Sequence, residues 1–143
     1  MALPAGVRLF HHLHPHAGSA AVADSASVSA IASGDVDAFI GIADLMITDY
    51  SALLFERALL GKPAVLYAYD AEAYEREQGL FLTPEMTGIA VFSEARGLLD
   101  HIAERAYSSQ GVAELGRAYN EYNHGDSAVR LVRAAAERLT VRT

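Results

Sequence analysis

The chain has 143 residues, 52% of them hydrophobic and 20% charged, with 18 Asp and Glu against 11 Lys and Arg and no cysteine. This length and apolar content suit one domain with a buried core and exclude a disordered segment. The net charge of −7 argues against a general nucleic-acid binder, which needs a basic face, and the missing cysteine excludes disulfides and thiolate metal sites.

No apolar run approaches the roughly 18 residues of a membrane span. Residues 1–10 lack a charged start followed by a long apolar stretch, so no signal peptide is expected.

In chain order, residues 7–13 form an apolar and aromatic run stopped by Pro15 and read as a strand. The Ala-, Ser- and Gly-rich residues 17–33 read either as a loop or as a short strand over 28–31 between turns. A helix is expected over 35–43, with Asp35 near its start. Residues 44–48 suit a buried parallel strand. Residues 50–60 predict a nearly all-apolar helix ending at Gly61, and 63–67 another buried strand. A polar helix over 70–78, a loop to Gly88 and a last strand over 89–92 follow. Three amphipathic helices close the chain. Their stripes are Ala95, Leu98, Leu99, Ile102 and Ala106; Val112, Leu115, Tyr119 and Tyr122; and Ala128, Leu131, Val132, Ala135 and Leu139. At this spacing each helix is expected to pack one face on a core.

Alternating short strands and helices predict an α/β fold, a Rossmann-like parallel sheet with helices on both faces, in a single domain over 1–143. Such sheets bind ligands beyond the carboxyl ends of their strands. The positions so marked are His14-Pro15, the turn Asp49-Tyr50-Ser51-Ala52, the segment from Tyr67 through Tyr69 to Asp70, and the loop near Gly125. Asp49 is suited to capping the helix that follows. The free N–H groups of that first turn, with the Ser51 hydroxyl, would suit a diphosphate; plain helix capping without a ligand is the alternative.

The segment Ala43-Asp44-Leu45-Met46-Ile47-Thr48-Asp49-Tyr50-Ser51, the apolar helix, Gly61-Lys62-Pro63, an apolar strand and Tyr67-Ala68-Tyr69-Asp70 together resemble the CDP-glycerol glycerophosphotransferases of teichoic acid synthesis. Glu72, Tyr74, Gly79 and Phe81 fit the same pattern. Leu13-His14-Pro15 is similar to the family's Leu-His-Pro, and Asn120-Glu121-Tyr122 with residues 125–130 to its Asp-Gly-x-x-x-x-Arg segment. The resemblance spans residues 14–132.

It implies the C-terminal half of a GT-B glycosyltransferase-like fold holding a CDP-linked donor. The implied reaction transfers glycerol phosphate from CDP-glycerol to a teichoic-acid-type polymer and releases CMP. CDP-ribitol or another activated donor is the nearest alternative, and a non-catalytic nucleotide-binding remnant a further one. His14 is the implied catalytic base or phosphate contact. Thr48, Asp49, Tyr50, Ser51, Tyr69, Asp70 and Arg130 are the implied substrate-binding residues. A tyrosine here could stack on cytosine or simply pack in the core. Arg130 could meet the donor's phosphates or lie on a solvated face. The implied partners are a CDP-alcohol and a lipid-linked polymer acceptor, the latter through an N-terminal part. The implied place is the cytoplasmic face of the membrane, held peripherally, although no amphipathic basic helix here supports membrane contact.

Three departures stand out. The family's Asp-Tyr-Ser-Ser reads Asp49-Tyr50-Ser51-Ala52, and its Asp-Gly reads His124-Gly125. The family's acceptor domain and first donor-domain strand would lie upstream, so the chain is expected to be an incomplete and inactive part. His11, His12, His14 and His16 cluster, and His12 and His14 would share a strand face. With no neighbouring carboxylate to complete a ligand set, neither metal nor other cofactor is expected. Lys62, before a buried strand, reads as a structural surface residue.

Overall fold

The computed structural model of the chain describes residues 2–12, 25–80, 82–123 and 125–140. Its centre is strand β4 (Ala64–Tyr67). Ala64, Val65 and Leu66 are 2%, 1% and 2% exposed, the pattern of a strand covered on both faces. β4 pairs in parallel with β3 (Met46–Thr48) on one side, Ile47 opposite Val65, and with β5 (Val91–Phe92) on the other, Tyr67 opposite Phe92.

Alternation along β4 assigns the helix layers. Ala64 and Leu66 pack with Leu54 and Ala58 of helix α2 (Leu53–Leu59), with Ile89, and with Val112 and Leu115 of helix α5 (Gln110–Tyr119). Val65 faces the other way, onto Leu98 and Ile102 of helix α4 (Ala95–Ala103). Successive strand side chains must point to opposite faces, so one four-residue strand fixes helices on both sides of the sheet, as its sequence predicts.

Helices α2 and α5 approach closely. A Cβ on Gly116 would fall 2.8 Å from the Ala58 carbonyl oxygen, and one on Gly111 only 2.1 Å from that of Gly88. Neither position admits a side chain without displacing backbone. The Asn120 amide donates to the Phe55 carbonyl at 2.9 Å, and the Phe55 and Tyr119 rings meet edge to face at 5.7 Å.

Several expectations need correction. The fold is α/β with parallel strands as expected, but among the described residues the strands form two sheets: β1 (Leu9–His11) and β2 (Val28–Ala30) pair in parallel apart from the other three. Their ladder ends where Ile31 N–H donates to the His11 carbonyl at 3.0 Å and the chain leaves for a 3-10 turn over Ser33–Asp35. Of the two alternatives for residues 17–33, the short strand holds for Val28–Ala30; residues 17–24 lie outside the described residues. β3 is an edge strand rather than a fully buried one, with Ile47 36% exposed. Helix α1 is Val36–Ile42, and Asp35, at its N-cap, makes no side-chain capping bond. Helix α3 is Ala71–Gln78.

The last helix, α6 (Ser127–Thr140), departs furthest. Leu131, Val132 and Leu139 are 71%, 67% and 72% exposed, so its apolar stripe does not lie on a core. Periodicity records which residues share a helix face, not whether a partner face exists. Ala106 and Tyr122 also fall outside the helices whose stripes they were expected to join.

Candidate functional site

The carboxyl ends of β3 and β4 lie side by side and open into two turns. The first carries Thr48, Asp49, Tyr50 and Ser51; the second carries Tyr69 and Asp70. They are joined where the Tyr50 hydroxyl donates to Asp70 Oδ1 at 3.0 Å. The Tyr50 ring stacks on Tyr74, one turn into α3, at 4.1 Å between centroids and 24° between planes. Burial pushes the Tyr50 phenol up from its ordinary value, and the bond to Asp70 with the charges of Asp70 and Asp49 pushes it further. Tyr50 is therefore a proton donor across the neutral range. Tyr69 is 67% exposed, its ring 5.5 Å from that of Tyr67.

The expected cap and anion cradle differ from what forms. Helix α2 begins at Leu53, its N-cap is Ala52, and Asp49 lies short of it. The first-turn N–H groups are already taken: that of Leu53 by Ser51 Oγ at 3.3 Å, that of Leu54 by the Ser51 carbonyl at 3.2 Å, and that of Phe55 by the Ala52 carbonyl at 3.0 Å. Ser51 intervenes because a serine hydroxyl readily satisfies an N–H two residues on. It still has its own O–H proton to donate outward.

The substrate-binding candidates thus sort by chemistry. Asp49 and Asp70 are carboxylate acceptors, matched to hydroxyl groups rather than to phosphate. Ser51, Thr48 and Tyr69 carry O–H donors. Arg130 sits on α6, exposed, with no hydrogen bond or ion pair to the residues of these turns. His14 lies outside the described residues, as does His16. His12 Nε2 lies 3.1 Å from Ser33 Oγ. Among the described residues no three His, Cys, Asp or Glu side chains are grouped to hold a metal ion.

Two residues act at the opposite end of the sheet. Arg57, on the inner face of α2, is 0% exposed. Its guanidinium donates to the Pro63 carbonyl through Nε at 3.1 Å and Nη2 at 3.0 Å, and to the carbonyls of Ala43 at 2.9 Å and Asp44 at 3.2 Å. Nη1 donates to Ile40. Desolvation lowers the Arg57 pKa, and nearby Asp44 opposes that shift. Lys62 donates to the Gly41 carbonyl at 2.6 Å, closing the end of α1 in the structural role expected of it. Sequence inspection passes over Arg57; its one signal is a lone arginine among apolar residues on the buried side of a helix.

The description CDP-Glycerol:Poly(glycerophosphate) glycerophosphotransferase fits residues 2–137. A teichoic acid glycerol-phosphate primase of Bacillus spizizenii is 32% identical over 111 residues, covering 76% of this chain and 29% of that protein. The teichoic acid ribitol-phosphate polymerase TarL of Staphylococcus aureus is 31% identical over 101 residues, covering 69% of this chain and 18% of the polymerase. A glycerol-phosphate primase of Bacillus subtilis is 29% identical over 92 residues, 63% of this chain and 24% of its own length. The chain therefore spans less than a third of each of these relatives. No helix among the described residues is long and apolar enough to cross a membrane. With its adjacent strand-end turns and a match over nearly its whole length, the chain belongs to the CDP-glycerol:poly(glycerophosphate) glycerophosphotransferase family.

Proposed function

We propose that this chain, as a single nucleotide-binding domain, holds the CDP-activated donor for glycerol phosphate transfer in teichoic acid synthesis. The observation that carries this is the pair of adjacent turns at the carboxyl ends of β3 and β4, bridged by the Tyr50–Asp70 bond, in a chain of this family. Asp49 suits sugar or glycerol hydroxyls, Ser51 O–H and Thr48 suit the diphosphate, Tyr69 offers a face for the cytosine ring, and Tyr50 and Asp70 shape the site through their own bond.

In the reaction, an acceptor hydroxyl oxygen bonds to the phosphorus that bears glycerol. The bridging oxygen leaves with CMP, and the hydroxyl proton passes to a base, for which His14 is the candidate. Arg130, exposed on α6, is the candidate cation for the phosphates. The acceptor is a lipid-linked polymer, and the work takes place peripherally at the cytoplasmic membrane face. A ribitol-bearing donor is the second possibility, favoured by the likeness to the ribitol-phosphate polymerase.

Calorimetric titration with CDP-glycerol, CDP-ribitol, CDP and UDP tests this. Cytidine-selective binding weakened about tenfold in Ser51→Ala, the loss of one hydrogen bond, is the expected result. Equal affinity for UDP, or none for any nucleotide, would remove the donor-holding role.

A further inference from the structure

We propose that Tyr74, Tyr50 and Asp70 form a strut that sets the two turns at a fixed separation, and that Tyr74 is a positioning residue for the donor. The proposal rests on the donor-holding role above and assigns Tyr50 and Asp70 to each other first.

Three observations converge. Asp70 stands at the N-cap of α3, where a carboxylate normally accepts from a first-turn N–H and contributes stability, yet it makes no side-chain capping bond. Its Oδ1 instead accepts from Tyr50, 20 residues away, at 3.0 Å. The local bond has been given up for one that spans two turns. Second, the Tyr50 ring lies flat on Tyr74. Tyr74 is four residues after Asp70 and is tied to it by the helical bond from Tyr74 N–H to the Asp70 carbonyl at 2.9 Å. The hydroxyl and the ring of Tyr50 thus both engage the first turn of α3, fixing its two ends together. Third, the residues free to meet a ligand flank this pair: Ser51 follows Tyr50, and the exposed Tyr69 precedes Asp70. A change in the Tyr50–Asp70 separation would move Ser51 relative to Tyr69, and ligand contacts tolerate little such displacement. The raised phenol pKa keeps Tyr50 in its donating form.

The test is a double-mutant cycle on the 143-residue chain with Tyr50→Phe, Asp70→Ala and both together. CDP-glycerol affinity is read by calorimetry, and amide exchange at residues 51–53 and 71–74 is read without ligand. Tyr50→Phe keeps the ring stack, so folding is preserved. A strut gives about tenfold weaker binding in each single variant and no further loss in the double, since both remove one interaction. Exchange should quicken at both turns whichever partner is altered. Asp70→Asn, which keeps an acceptor oxygen, should recover most of the affinity, and Tyr74→Leu should weaken binding without contacting ligand.

Losses that multiply to about a hundredfold in the double variant would mean that the two residues meet the ligand separately, overturning the strut. Tyr50→Phe binding as tightly as wild type overturns it too. If wild type binds no CDP-glycerol, the donor-holding role fails by itself. Exchange then decides the strut: quickening at the distant turn in Asp70→Ala retains the mechanical link, and unchanged exchange removes it.

Discussion

The two ends of the three-stranded sheet carry opposite chemistry. At the amino ends of β3 and β4, Arg57 and Lys62 are spent on backbone carbonyls of Ile40, Gly41, Ala43, Asp44 and Pro63. At the carboxyl ends stand phenols, hydroxyls and carboxylates, linked through Tyr50 and Asp70. The cations lie where carbonyl oxygens converge and need donors, and both build structure. The acceptors and hydroxyls lie where parallel sheets receive ligands. In this chain a charged residue near the sheet is therefore not in itself a sign of chemistry; which strand end it serves decides.

The sharpest way to break this contrast is Arg57→Ala. It leaves several buried carbonyls without a donor, and about 3–5 kcal/mol of stability should be lost, read from urea unfolding. Arg57→Lys should recover less than half, because an ammonium lacks the planar fork that reaches several carbonyls at once. A loss under about 1 kcal/mol would mean that the amino end holds together without its cation.

At the other end, Tyr50→Phe should cost about 1 kcal/mol at neutral pH, the net value of one hydrogen bond. Its phenol pKa is raised on folding, first by burial and then by Asp70. That contribution is complete below the unfolded phenol value of about 10 and is lost as pH rises through the higher folded value. In an absorbance titration at about pH 11, above the ordinary phenol value, one tyrosine should stay protonated in wild type and should ionise at lower pH in Asp70→Ala, which keeps the burial but loses the bond. Full ionisation in wild type would remove the strut's electrostatic basis.

The smallest effect belongs to Lys62→Ala. Its ammonium caps one carbonyl at the end of α1, worth about 0.5 kcal/mol, and nucleotide affinity should not change. An altered affinity would erase the division between the two ends.

What the sequence revealed follows from the kind of signal each element carries. The run Ala64-Val65-Leu66 announces a strand covered on both faces, and the stripes of α4 and α5 announce the helices that cover it. The same kind of stripe in α6 misleads, because Leu131 and Leu139 share a face that nothing in the described residues covers. The turn at Asp49 was placed correctly at a strand's carboxyl end, but its cap was not. The helix starts at Leu53, too late for Asp49 to cap it, and Ser51 takes the Leu53 N–H instead; a shift of the helix start by a few residues is beyond what spacing decides. Tyr50 and Asp70 each stand out in the sequence as candidates; their bond does not, since partners 20 residues apart leave no periodic trace. Arg57 was invisible because its partners are main-chain carbonyls, which every sequence has.

Helix α5 shows what close fit implies for how the chain folds. Glycine inside a helix gives up about 1 kcal/mol relative to alanine, and α5 carries Gly111 and Gly116. Both are placed where a methyl group would strike the backbone of Gly88 or Ala58. Its ten residues are few for an autonomous helix, and the glycines lower its intrinsic helicity further. Its order is borrowed from the surface it lies on, and its bond from Asn120 to Phe55 closes a 65-residue loop. Helix α5 is thus an element whose order depends on α2 and the sheet as its template, so a change that loosens α2 should loosen α5 as well.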